Sequence, residues 1–128
     1  EINIYQATRL AMCQAVRSLS LKPDHLIIDA VKLPELGIGQ TPLIKGDALS
    51  ISVASASILA KVERDRVMDA LEDLYPGYGF AKHKGYATRE HIESLLALGP
   101  SPVHRRSFEP VRSLLEGNGY GDQGQLFE

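Results

Sequence analysis

Cysteine is nearly absent: the 128 residues contain one, Cys13. A single thiol excludes an internal disulfide and a cysteine-based zinc site and fits a reducing compartment, so a cytoplasmic location is expected. Long apolar runs are missing too. No stretch approaches the ~20 residues needed to cross a bilayer, so no membrane span is expected. Neither sign of charge dominates, since 14 basic and 16 acidic residues leave a net −2. Contact with nucleic acid would therefore have to come from a local basic patch. There is no internal repeat and no low-complexity block. The opening EINIYQATRLAMCQAV has no initiator Met, apolar signal core or small-residue cleavage site, and it reads as the start of a fragment.

What is present is ordinary for a globular domain: 44% apolar and 23% charged residues. A chain of this length buries roughly two-thirds of its unfolded surface, which suits one modest domain over 1–116. The Gly, Asn, Asp and Gln residues of 117–128 read as a flexible tail. A first helix is expected with Ile4, Ala7, Ala11, Ala15 and Leu19 on its apolar face, ended by Lys22-Pro23-Asp24. Leu26 to Asp29 reads as a strand buried on both faces, PELGIGQT as a turn region, and PLIK as a second strand. A long helix follows over about 50–74, with Ala54, Ile58 and Val62 in one stripe and Val67, Leu71 and Leu74 in another. Thr88 is placed to cap the next helix, which ends near Gly99-Pro100, and a last helix is expected over FEPVRSLLEG. The fold class is α/β.

Asp29 closes one strand, and Asp47 follows the other after a Gly that permits a sharp turn. Carboxylates at the ends of neighbouring elements can converge as hard oxygen ligands for Mg²⁺ or Mn²⁺, although an Asp after a strand is also a common turn former or helix cap. The small residues Ser50, Ser52, Ala54, Ser55, Ala56, Ser57 and Ala60 allow either close backbone packing or a phosphate near the helix start. Asp65, among Lys61, Glu63, Arg64 and Arg66, reads as part of a solvated face. Lys82, His83, Lys84, His104, Arg105 and Arg106 form two loop clusters that suit a polyanion or plain surface charge. Tyr86 suits a sugar or base contact, or a plug in the core.

The runs LIIDAVKLP, IKGDALSISVASASILAKVERDRVM, YPGYGFAKHKGY and HIESLLALGPSPVHRRSF occur in order. Together they resemble the C-terminal half of bacterial ribonuclease HII over about positions 1–112. HKGY and HRRSF favour this family over ribonuclease HIII. The resemblance implies an RNase H-like fold, here its incomplete C-terminal portion, whose complete form is a mixed sheet flanked by helices. It implies two-metal hydrolysis, with Mg²⁺ or Mn²⁺, of the phosphodiester 5′ of a ribonucleotide in an RNA–DNA hybrid or in duplex DNA. Asp29 and Asp47 then match the family's third and fourth active-site carboxylates. Tyr86 matches the tyrosine that reads the junction of ribonucleotide and deoxynucleotide, and Lys45, His104, Arg105 and Arg106 become phosphate contacts.

The family's adjacent Asp-Glu pair and its Gly-Arg-Gly loop occur nowhere in these 128 residues. Two readings follow: an enzyme represented by its C-terminal half and inactive alone, or a non-catalytic nucleic-acid-binding or clamp-tethered interaction module. A monomer is expected at full length. At the end of the tail, Gln123-Gly124-Gln125-Leu126-Phe127 resembles peptides that dock in the bacterial sliding clamp, with Gly124 departing from the usual Leu.

Overall fold

The computed structural model describes residues 2–117. The tail and its clamp-like peptide lie outside them, apart from Gly117. The chain is α/β, with six helices and a two-stranded parallel sheet among the described residues. It divides into two compact units, Glu1–Lys61 and Val62–Glu128.

In the first unit, helix α1 spans Ile4–Arg17. Asn3 caps it, its side chain accepting the Gln6 N–H at 2.9 Å. The helix stops five residues before Pro23, where the Ser18 hydroxyl donates to the Gln14 carbonyl at 2.8 Å. Its buried face differs from the expected one. Cys13 is buried and Arg9, Met12 and Val16 are half-buried, whereas Ile4, Ala11, Ala15 and Leu19 are exposed. The reason is what the helix meets: Cys13 packs with Ile28 and Leu33, with Met12, Leu26, Val31 and Leu36 around them. Arg9 reaches across the same face to an ion pair with Glu35.

Strand β1 is His25–Asp29 and β2 is Gly39–Leu43. They pair in parallel from His25 opposite Gly39 to Asp29 opposite Leu43. β2 starts earlier than PLIK suggests, and a 3₁₀ turn, Pro34–Leu36, occupies the expected turn region. Pro42 lies inside β2, and a residue without an N–H is tolerated on an edge strand. β1 is covered on one face only: Ile28 is buried, but Ile27 is 47% exposed. The expected two-sided burial fails because the covering residues all come from the Cys13 side. The crossover is held by Gln40, whose amide brackets Leu33 by accepting its N–H at 2.8 Å and donating to its carbonyl at 2.6 Å. Leu33 is 1% exposed, and such full burial contributes about 1.5–3 kcal/mol.

Helix α2, Gly46–Leu49, follows β2 directly. Helix α3 spans Ile51–Leu74. The Ser50 hydroxyl lies 3.5 Å from the Val53 N–H at the start of α3. In the first unit α3 buries Val53, while Ser52, Ser55, Ala56, Ser57 and Ala60 are exposed.

In the second unit, Asp65, Met68, Leu71 and Glu72 of α3 are half-buried, and Leu71 packs on the core together with Tyr75, just past the helix end. The expected stripes at Ile58, Val62, Val67 and Leu74 are exposed. Helix α4 is Phe80–His83, α5 is Arg89–Leu98 and α6 is Val111–Leu115. Thr88 caps α5, its hydroxyl accepting the His91 N–H at 3.3 Å. Tyr78, Phe80, Leu95 and Val111 form the core, with Leu71, Tyr75 and Leu114 against it. α6 is shorter than the FEPVRSLLEG run, because Pro110 stands at its N-cap.

Candidate active site

Asp29 is the last residue of β1, opposite the last residue of β2. Its Oδ1 accepts the Gly46 N–H at 3.0 Å, which ties the end of β1 to the first residue of α2. Gly46 fits tightly there. A Cβ would meet Val53 Cγ1 at 3.2 Å, Leu43 Cβ at 3.3 Å and Asp29 Cα at 3.5 Å. Asp47 therefore stands next to a residue that packs on the Asp29 main chain. Its carboxylate is exposed in the first turn of α2, with Oδ1 accepting the Ala48 N–H at 3.0 Å.

Both strand ends turn through left-handed backbone at residues other than glycine, Ala30 and Lys45, each with φ 56°. Such residues cost of order 1 kcal/mol and more, and they persist where the surroundings hold them. The Ala30 N–H donates to the Leu43 carbonyl at 2.8 Å, so the ladder itself holds that turn. Lys45 is exposed beside Gly46. Carboxyl ends of parallel strands are where open α/β sheets present their ligand groups.

Asp29 and Asp47 are hard oxygen donors of the kind that suit Mg²⁺ or Mn²⁺. Among the described residues no group of three or more His, Cys, Asp or Glu converges on a cation position.

The second unit holds Tyr86, His104, Arg105 and Arg106. Tyr86 is 61% exposed, and the Arg64 guanidinium lies 5.3 Å from its ring centroid. Its main chain is held on both sides. The N–H donates to the His83 carbonyl at 2.9 Å, and its carbonyl accepts the Thr88 N–H at 2.8 Å and a hydrogen bond from His91 Nδ1 at 2.9 Å. The chain reaches this position through Lys84 and Gly85, with φ 51° and 76°. A cleft of about 430 Å³ opens beside the ring, with His91, His104, Arg105 and Phe108 among its walls. Arg105 lies over the Phe108 ring at 5.5 Å, and Arg106 is exposed.

His104 is half-buried with both ring nitrogens engaged. Nδ1 lies 3.1 Å from the Ser101 N–H and 2.7 Å from its hydroxyl, while Nε2 lies 3.1 Å from His91 Nε2. Burial holds the His91 and His104 imidazoles below their ordinary range, with the neighbouring charges of His83 and, for His104, His91 acting in the same direction. Residue types did not single out His91 as part of a site. A usable signal was present, since three of the chain's four histidines fall between positions 83 and 104.

The first basic cluster is largely neutralised within the unit. Lys82 pairs with Glu90 at 2.6 Å, Lys84 pairs with Asp69, and His83 is buried with Nε2 donating to the Tyr78 carbonyl at 2.7 Å. Asp65 is half-buried, not on a fully solvated face, and its carbonyl lies 3.5 Å from Lys84 Nζ.

The chain is 63% identical over 128 residues to ribonuclease HII of Syntrophomonas wolfei, covering 100% of this chain and 50% of that protein. It is 55% identical over 127 residues to ribonuclease HII of Anaeromyxobacter sp., covering 98% and 39%. Identity to ribonuclease HII of Desulfitobacterium hafniense (strain Y51) is 58% over 115 residues, covering 90% and 44%. The chain spans half or less of the length of these curated relatives. A family model described as ribonuclease HII matches residues 1–111, and the chain, with Asp29 and Asp47 inside that match, belongs to the ribonuclease HII family.

Proposed function

We propose that this chain forms part of an endoribonuclease that hydrolyses the phosphodiester 5′ of ribonucleotides, in RNA–DNA hybrids and at single ribonucleotides embedded in duplex DNA. The observation that carries the reading is the tie from the Asp29 carboxylate to Gly46, which holds the end of β1 to the turn that carries Asp47. Asp29 and Asp47 would hold the divalent cation, Mg²⁺ or Mn²⁺. Bound there, the cation supplies activation of water and stabilisation of the leaving 3′-oxygen. The chain's own groups place the substrate. Tyr86 presents an exposed ring suited to stacking on a sugar, and the 2′-hydroxyl is the feature by which RNA differs from DNA. Lys45, Arg105 and Arg106 are exposed cations suited to backbone phosphates. His104 serves through its internal hydrogen bonds, since both ring nitrogens are taken up within the chain.

An Asp-Glu pair and a Gly-Arg-Gly loop are absent from the 128 residues, so the isolated chain binds cations weakly and cleaves nothing. The test is cleavage of a labelled duplex carrying one ribonucleotide, by the enzyme at the full length of its relatives and by this chain alone. Incision 5′ of the ribonucleotide, leaving 3′-hydroxyl and 5′-phosphate ends, is the expected result for the former. Products cut elsewhere, or no dependence on a divalent cation, would overturn it.

A further inference from the structure

Hydrogen-bond direction can be read along a line of four residues. The Ser101 main-chain N–H can only donate, so His104 Nδ1, at 3.1 Å, is its acceptor. The Tyr86 carbonyl can only accept, so His91 Nδ1, at 2.9 Å, carries a proton. In neutral rings these two conditions place the remaining proton on His104 Nε2 and leave His91 Nε2 bare, and the two nitrogens are 3.1 Å apart. Every contact in the line then has one donor and one acceptor. His83 is oriented in the same way, since the Gly85 N–H donates to its Nδ1 at 3.1 Å and its Nε2 donates to the Tyr78 carbonyl. Its ring stacks on His91 with centroids 4.1 Å apart and planes 13° apart.

We propose that Ser101, His104 and His91 form a hydrogen-bonded relay that positions Tyr86, with His91 and His104 acting as positioning residues for the exposed tyrosine ring. This deepens the substrate reading above and rests on it for the ring's purpose, but the relay itself stands on the distances. It fixes the tyrosine's own carbonyl, bonded to the Cα that carries the side chain, on a stretch that already requires left-handed backbone at Lys84 and Gly85. The stacked His83 adds a second support, because its carbonyl accepts the Tyr86 N–H.

Protonation breaks the line. A proton on His91 sets two N–H groups face to face across the 3.1 Å contact with His104, and a proton on His104 Nδ1 sets an N–H against the Ser101 N–H, so in either case a ring has to turn away. The groups that face these rings are His83, stacked on His91, the Tyr78 ring 5.1 Å from His104, and Arg64, Arg105 and Glu109 on the walls of the adjoining cleft. Burial and the neighbouring imidazoles favour the neutral state, so the relay is intact at neutral pH.

The test has two arms. In the full 128-residue chain, nitrogen and carbon NMR of the imidazoles should show the Nδ1–H tautomer at His91 and the Nε2–H tautomer at His104. The Tyr86 carbonyl shift should move on acidification with the same midpoint as His91. The opposite tautomers, or a Tyr86 signal that ignores that midpoint, would overturn the relay whatever the chain's activity. In the enzyme at the full length of its relatives, His91→Phe should lower cleavage at an embedded ribonucleotide at least tenfold. His91→Asn, whose amide can still donate from near the Nδ1 position, should recover most of it. Loss by Tyr86→Ala with no change in His91→Phe would sink the positioning role while leaving the substrate reading in place. If no cleavage is found in the parent enzyme, the substrate reading fails and the NMR arm alone decides the relay.

Discussion

The Asp29 carboxylate accepts the Gly46 N–H at 3.0 Å, so one acidic side chain both ends β1 and fastens the turn that carries the other. The charge and the acceptor are separable. Asp29→Asn keeps an oxygen for Gly46 and removes the charge, and should lower turnover of the full-length enzyme by orders of magnitude with its melting temperature preserved. Asp29→Ala removes both and should cost in addition about 1–2 kcal/mol, read by chemical denaturation. Near-normal cleavage by Asp29→Asn would remove the aspartate from the site.

Gly46→Ala tests the close approach directly. The added Cβ meets Val53 and Leu43 at 3.2 and 3.3 Å, and neither neighbour is the free end of a long side chain. Overpacking of this kind costs about 1–3 kcal/mol. Activity should fall further than stability alone explains, because relief of the contact moves Asp47 relative to Asp29. Unchanged stability and turnover together would show that the turn has slack.

Tyr86→Ala should reduce cleavage at a single embedded ribonucleotide more than it reduces affinity for the duplex, since a stacked ring acts on one sugar while phosphate contacts are spread. Binding by anisotropy and cleavage by gel give the two numbers. Equal loss in both would mark the ring as merely structural.

Stability should decrease on acidification. His91 and His104 are held below the ordinary imidazole value of 6.5 in the folded chain, so the unfolded chain takes up protons first as pH falls. Their contribution is complete above pH 6.5 and is lost as the pH drops toward the lower folded values. Denaturation midpoints at successive pH values should show this loss, and His104→Asn should flatten the slope. A slope unchanged by that substitution would assign the effect to other groups.

A peptide of residues 117–128 is expected to bind the sliding clamp weakly, in the micromolar range, with Leu126→Ala plus Phe127→Ala abolishing it. Titration of labelled peptide decides the matter. Absence of binding up to high micromolar concentration would leave those residues without this partner.

Asp29, Asp47 and Tyr86 were legible as candidates because chemistry and chain punctuation coincide: each stands where an element ends and a glycine or turn begins. The relay was not legible, because a histidine's role depends on which atoms its two nitrogens meet, and Ser101, His104, His91 and Tyr86 are brought together only by the fold. The apolar stripes misled for a related reason. Periodicity identifies a helix face, but α1 turns toward Ile28 and Leu33 the stripe holding Cys13, and Ile4 and Leu19 remain exposed. The pairing of the first basic cluster was not legible either, since the partners Glu90 and Asp69 of Lys82 and Lys84 are eight and fifteen positions away.

The pairing of Asp29 with Leu43 makes the sheet a ruler for the two carboxylates. A strand advances about 3.3 Å per residue, so a slip of one position between β1 and β2 would shift Asp47 relative to Asp29 by about that distance and point Ile28 away from Leu33. The same burial that keeps Ile28 inside therefore calibrates the spacing of the acidic pair. Substitutions in the Cys13, Ile28 and Leu33 core, which replace neither aspartate, are a route by which the spacing of the two can change.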